Sequence, residues 1–425
     1  MIPIETGKAY AGSMLNTLKS AIPDGVGGFG KRRPSRIDTD ALVRYVQLPS
    51  LPVSDEEMAR AVYRDQGQKL ARQENWQKLS NMIQHAEDCR SATAGGESAA
   101  MLLAFGARSD VVSVAEDALF DDSEPSPDGI NALEEMLAEN YGDYACALIT
   151  ALAHVDIGWA WRNTAPDGKA DLHLLRFKEH FKRAEDILGP YDGVELDAPC
   201  LAAAQCALLA SRPQPGTRVA DDYETLIDLD PDNPRHMRSL GQHLLPTYYG
   251  DYAQLELEAR RTAARTGDIW GHGGYTWVYF DALALDPAAA DRLDVEFFIE
   301  GMQDILIRRP NQHVVNLLAA FCAITMGPDA SGASPDKLPA EKTRRQLNGF
   351  LDEILTRHLK ELHPLIWSQT LLSPGLTRSL PSRRSLVAKG RQTALKIIAE
   401  RFSDDIANGH SVTFSTTGMH LLPRY

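Results

Sequence analysis

Several familiar signatures of chemistry are missing from this 425-residue chain. It holds no Cys-x-x-Cys, no His-Glu-x-x-His and no Gly-x-Ser-x-Gly, and none of its 12 histidines follows a glutamate at the Glu-x-x-His spacing. Those absences exclude the common zinc, metalloprotease, α/β-hydrolase and di-iron patterns. Cysteine is scarce, and Cys89, Cys146, Cys200, Cys206 and Cys322 stand at unrelated spacings. An odd set lying mostly in apolar, helix-like runs reads as reduced structural thiols, which suits the cytoplasm. Long apolar runs are lacking too: the longest uncharged one, His313 to Gly327, contains Asn316 and is too short to span a bilayer. The opening MIPIETGKAYAGSML has neither the basic start nor the apolar core of a secretory leader, so a soluble, cytoplasmic protein is expected.

Positive charge is absent over one long stretch. No Lys or Arg occurs between Arg108 and Arg162, whereas twelve acids fall from Asp110 to Asp156. Residues 341–401 reverse this, with twelve Lys/Arg against five acids, and Lys31, Arg32, Arg33 and Arg36 form a second basic cluster. The net charge of −14 argues against a general nucleic-acid or anionic-membrane binder. The basic C-terminal part (Arg344, Arg345, Arg378, Arg383, Arg384, Lys389, Arg391) lacks the interleaved aromatics that stacking on single strands needs. It reads as a solvated face, or as a contact for the acidic middle.

What is present is ordinary in amount, 44% hydrophobic and 24% charged, and this excludes a disordered or collagen-like chain. Helical periodicity dominates. Ser54 and Glu57 form a capping-box pair, and Trp76, Leu79, Ile83 and Ala86 share one face of the next helix. Helix-length patterns recur from 130 to 401, while the best strand candidate is the short run Ser411–Ser415. Gly/Pro-rich breaks fall at 22–36 and 327–339, dividing the chain into an N-terminal helix and basic arm (1–37), a helical body (38–335) and a basic C-terminal part (336–425).

Self-similarity is visible. Tyr-Gly-Asp-Tyr occurs at 141–144 and again at 249–252, a separation of 108 residues or three periods of 36. Leu226–Pro234 (LIDLDPDNP), then Leu240, Gly241 and Leu244, then Gly250 and Tyr252, and finally Trp270, Gly274 and Trp277 resemble the helical hairpins of tetratricopeptide-like repeat proteins over about residues 199–325. Gly273 stands where that pattern has Leu. The segments ALAHVDIGWAWRN and LGQHLLPTYYGDYAQLELEARRTA are also similar to a bacterial family built on such repeats. The resemblance implies an all-α fold, an α-α superhelix of antiparallel hairpins with extra terminal helices. It names no activity. Single hairpins cannot bury their apolar faces alone, so such hairpins stack and curve around a concave groove.

Gly25-Val-Gly-Gly-Phe-Gly30-Lys31 has phosphate-loop spacing, but the residues before it look helical and Arg32 stands where Ser or Thr would meet magnesium. It is expected to be a basic hinge. His236 with His243, and His173 with His180, are seven apart and share helix faces, a coincidence that repeats generate freely, so no metal or cofactor is expected. The aromatic cluster is the exception: Tyr248, Tyr249, Trp270, His272, Tyr275 and Trp277 lie within 30 residues, and His272 is flanked by Gly271, Gly273 and Gly274. Aromatics with polar tips anchor interfaces. The expected partner-binding set is Trp270, His272, Tyr275, Tyr248, Tyr249 and His236, in a non-catalytic protein- or peptide-binding helical-repeat protein. The alternative is an all-α, α/α toroid-like hydrolase with paired carboxylates in an acidic pocket.

Overall fold

A computed structural model describes residues 39–51, 53–165, 168–212, 216, 218–328, 338–372 and 381–424. The expected N-terminal helix and arm, the Gly25–Lys31 motif and Arg378 lie outside the described residues. The chain begins with α1 (Thr39–Val43) and β1 (Val46–Gln47). Then follow α2 (Asp55–Arg72), α3 (Trp76–Asp88), α4 (Ala99–Phe120), α5 (Asp128–Glu139), α6 (Tyr144–Asn163), α7 (Ala170–Leu188), α8 (Pro199–Leu208), α9 (Arg218–Leu229), α10 (Pro234–His243), α11 (Tyr252–Arg265), α12 (Gly273–Leu285) and α13 (Val295–Arg308). The last part holds α14 (Gln312–Ala320), α15 (Leu338–Gly349), α16 (Pro364–Thr370), α17 (Arg383–Arg401), α18 (Ser403–Ala407), β2 (His410–Ser415) and β3 (Gly418–Pro423). The described residues are predominantly helical, and none of their helices is long and apolar enough to cross a membrane.

Two compact units divide after Arg308. The unit of residues 53–308 carries α2 to α13. Its most extensive helix contacts join adjacent α6 and α7, α2 with α4, α10 with α12, and α4 with α6. Helix α6 is apolar on nearly every side and buries all but a few of its residues, and α4 is buried likewise over its first half, Ala99 to Arg108. Helices such as α3, α9 and α11 bury one face, as their alternation of apolar and charged residues requires. The α10–α12 crossing depends on Gly241, where a Cβ would stand 1.7 Å from the carbonyl oxygen of Val278. Only glycine lets the two backbones approach so closely.

The capping box at Ser54 forms as expected, with Glu57 N donating to Ser54 Oγ at 3.3 Å and Ser54 N to Glu57 Oε2 at 3.1 Å. The repeated Tyr-Gly-Asp-Tyr has a local explanation. Asp143 and Asp251 are N-caps, accepting from Ala145 N and Ala253 N at 2.8 Å each, and the second tyrosine of each copy opens its helix.

The other unit combines the described residues up to 51 with those from 309 onward. The weak strand signal at 411–415 is real: β2 pairs antiparallel with β3 and parallel with β1, in register Val46↔Val412 and Gln47↔Thr413. Val412 and Phe414 point inward and are buried.

A cleft at His272

The turn before α12 places one candidate residue at the surface. Thr266 ends α11, one helical turn (Gly267–Trp270) follows, and Gly271 breaks it with φ +59°. Glycine is required there twice over, since a Cβ would also stand 2.2 Å from Asp304 Oδ2. Asp304, on α13, fixes the turn by accepting from His272 N at 2.7 Å. The half-exposed His272 ring lies with its Nδ1 3.3 Å from Glu300 Oε2 and 3.8 Å from Asp304 Oδ2. Its centre is 4.7 Å from that of Phe297, which is itself 4.7 Å from Tyr275.

Arg260 closes the other wall. Its guanidinium lies 5.4 Å from the Phe297 ring centre and 5.6 Å from that of Tyr275. It donates to Glu256 at 2.5 Å and to Asp294 at 3.0 Å. The Arg260 guanidinium beside Asp294 holds that carboxyl below the usual carboxylate range. Glu256 also accepts from the hydroxyls of Tyr275 (2.7 Å) and Tyr279 (2.8 Å), and burial pushes both phenols up. These residues frame an open cleft of about 400 Å³, lined by Arg260, Ala263, Ala264, Gly271, His272 and Phe297. That is near the low end for ligand sites, roughly 300–1,000 Å³, and matches a large side chain or a short peptide segment.

The expected partner-binding set does not assemble. Trp270 is 2% exposed, donates from Nε1 to Pro231 O at 2.8 Å, and packs edge-to-face on Trp277. Tyr275 is fully buried. His236 is buried with Nε2 3.1 Å from Asp230 Oδ2, and burial lowers its pKa. These three cannot present their side chains to a partner, because large side chains fill the gaps between helices and their polar tips find internal acceptors. Tyr248 and Tyr249 are half-buried and pack around His243, at 6.0 and 5.7 Å between ring centres. Burial pushes His243 down to about 4. Of the set, His272 alone lines the cleft. Phe297, Arg260, Glu300 and Asp304 were not singled out from sequence, since a charged i,i+4 pair looks like any solvated helix face.

The shared helix faces of the histidine pairs also carry no mutual contact. His173 Nδ1 sits 2.6 Å from Trp161 O. His180 instead meets His154, Nδ1 to Nδ1, at 2.9 Å, while His154 Nε2 is 2.9 Å from Glu134 Oε1. Arg183 also donates to Glu134, at 2.7 Å from Nε, and draws its pKa down. Burial lowers His154 and takes His180 to about 4. Basic residues before and after the acidic stretch pair with five of its twelve acids. Arg72 pairs with Asp110 (2.6 Å), Arg108 with Asp156 (2.7 Å), Lys169 with Asp122 (2.6 Å), Arg176 with Glu124 (3.4 Å), and Arg183 with Glu134. Comparison with protein-family models, with curated proteins and with solved structures gives no match.

Proposed function

We propose that this is a non-catalytic binding protein, a tetratricopeptide-like helical array that takes a protein or peptide segment at the His272 cleft. The observation that carries the reading is the imidazole of His272, half exposed on a turn held rigid by Asp304 and set against Phe297 at an open cleft. A preformed turn costs a partner little ordering, and an aromatic floor beside polar groups is the usual composition of an interface anchor. Support for the repeat reading comes from the packing of α6 on α7 and of α4 on both α2 and α6, and from Gly241 at the α10–α12 crossing. Trp270, Tyr275 and Tyr279, buried behind the cleft and paired with a carbonyl or a carboxylate, act as its rigid backing, not as contacts.

The test is site-specific cross-linking in the native host. A photoreactive residue at exposed Ala264, on the cleft wall, is expected to trap a partner that the same residue at Tyr141 does not. The adduct should disappear in His272→Ala and Phe297→Ala. Identical adducts from positions 264 and 141, or none specific to 264, would overturn the reading.

A further inference from the structure

The geometry points to a two-histidine site for a borderline divalent d-block cation, zinc being the probe, formed by His363 and His313 with Glu361 as the positioning residue. All three lie in the unit from 309 onward, apart from the His272 cleft.

The starting point is a buried atom. His363 has a side chain 8% exposed, and its Nδ1 is buried with no hydrogen-bond partner among the described residues. Its other nitrogen, Nε2, lies 3.0 Å from Glu361 Oε1. A carboxylate on Nε2 holds the proton there, which leaves the Nδ1 lone pair available. This carboxylate–histidine order is how proteins orient and strengthen imidazole ligands. A Lewis acid fits that buried, unpartnered lone pair.

His363 is held firmly from behind. Its backbone N–H donates to Asn316 Oδ1 at 3.0 Å, and the same oxygen accepts from Trp367 Nε1 at 3.0 Å. The Asn316 amide in turn donates to Gln312 O at 2.8 Å and Glu361 O at 2.9 Å. Asn316 is fully buried on α14, and His313 stands one turn before it on the same helix. The rings of His313 and His363 are 6.4 Å apart, centre to centre, at 61°. Two imidazoles on one zinc, with bonds of about 2.0–2.1 Å, have ring centres about 5 Å apart at a tetrahedral angle and about 6.3 Å when opened to a straight line. The observed separation is just beyond the straight-line limit, so binding requires a rotation of His313, the less buried ring, toward His363. No group of three or more His, Cys, Asp or Glu among the described residues is placed to hold a metal, so the protein supplies two ligands and water the remainder. Imidazole donors suit zinc, copper and nickel.

A rival surface chelate is Cys89 with His85, where Sγ is 3.8 Å from Nε2, so the test uses the full chain carrying Cys89→Ser. Zinc is titrated against a chromophoric chelator, and thermal unfolding is followed with and without the metal. One equivalent is expected to bind and to raise Tm. Both effects should be lost in His363→Asn, which keeps a polar δ atom for folding, and in His313→Ala, but kept in His420→Ala at the exposed strand β3. Glu361→Gln is expected to weaken zinc about tenfold while preserving one equivalent. In the zinc-free protein its ring ¹⁵N spectrum should show His363 losing the pure Nε2–H form, which a merely structural role would not produce. Zinc binding that survives in folded His363→Asn, or no saturable binding in the parent protein, overturns the assignment.

Discussion

Replacing Asp156 with Asn should cost the 53–308 unit about 3–5 kcal/mol, the usual penalty for leaving a buried charge without its partner. Arg108 on α4 and Asp156 on α6 have side chains only 3% and 8% exposed, and Nε donates to Oδ2 at 2.7 Å. Arg108 Nη1 is already without a hydrogen-bond partner among the described residues, so the guanidinium has nothing in reserve once the carboxylate is neutralised. A pair this buried differs from exposed pairs such as Arg72–Asp110, which contribute about 0–1 kcal/mol. Removing both charges in Arg108→Met/Asp156→Leu should restore most of the loss, because an apolar pair of similar volume escapes the desolvation cost. The measurement is urea unfolding followed by tryptophan fluorescence. Five of the six tryptophans (Trp76, Trp159, Trp161, Trp270 and Trp277) lie in this unit, so the signal reports on it. The midpoint should fall in Asp156→Asn at unchanged slope and recover in the double variant. A single-variant cost below about 1 kcal/mol would refute the reasoning, because it would mean that water reaches Arg108 in solution.

Two further outcomes are expected. Folded-state pKa values of His154 and His180 lie below the unfolded value, so the unfolded chain binds more protons as pH falls; stability is full above about pH 6.5 and declines toward pH 4. For His180, taken to about 4, the loss is at most about 3 kcal/mol. Urea midpoints at pH 7.5, 6 and 5 measure it, and an equal slope in His180→Gln would refute the assignment. Among the thiols, Cys89 alone is exposed, while burial pushes Cys146, Cys206 and Cys322 up to about 12 and Cys200 well above its usual value. A thiol reagent should therefore modify one cysteine in the native protein and five after denaturation; fast reaction of a second native thiol would contradict the burial.

Helices were legible because apolar spacing and caps are local. Ser54 with Glu57, and the face of Trp76, Leu79, Ile83 and Ala86, needed nothing distant to declare themselves. The aromatic set misled for the opposite reason. A tryptophan such as Trp270 has the same composition whether it anchors a partner or fills a gap, and only the Pro231 carbonyl, 39 residues away, decides between them. The glycines flanking His272 carry no sign in the sequence of what comes close to them. Gly271 and Gly301 admit the chain's own helix α13: at Gly301 a Cβ would stand 2.7 Å from His272 O. The acidic stretch is a local fact with a non-local answer, since cations 38 to 52 residues away, such as Arg72, Arg176 and Arg183, pair with some of its acids. Asn316 was noted only as a flaw in an apolar run, yet it is the residue that fastens His363.

The parallel pairing of β1 with β2 bears on synthesis. Val46 waits for Val412, so one unit opens near the start of the chain and closes only when nearly all of it has been made. The described residues of the other unit all fall between 53 and 308 and can pack on the ribosome while the sheet is still incomplete. The closure itself is not what makes this slow, since loop entropy grows only with the logarithm of length. The delay lies in the time taken to translate what comes between, roughly 20–70 s at about 5–20 residues per second. Until then β1 and the residues beside it present an unpaired edge, and it is in that interval that the nascent chain is most open to mispairing.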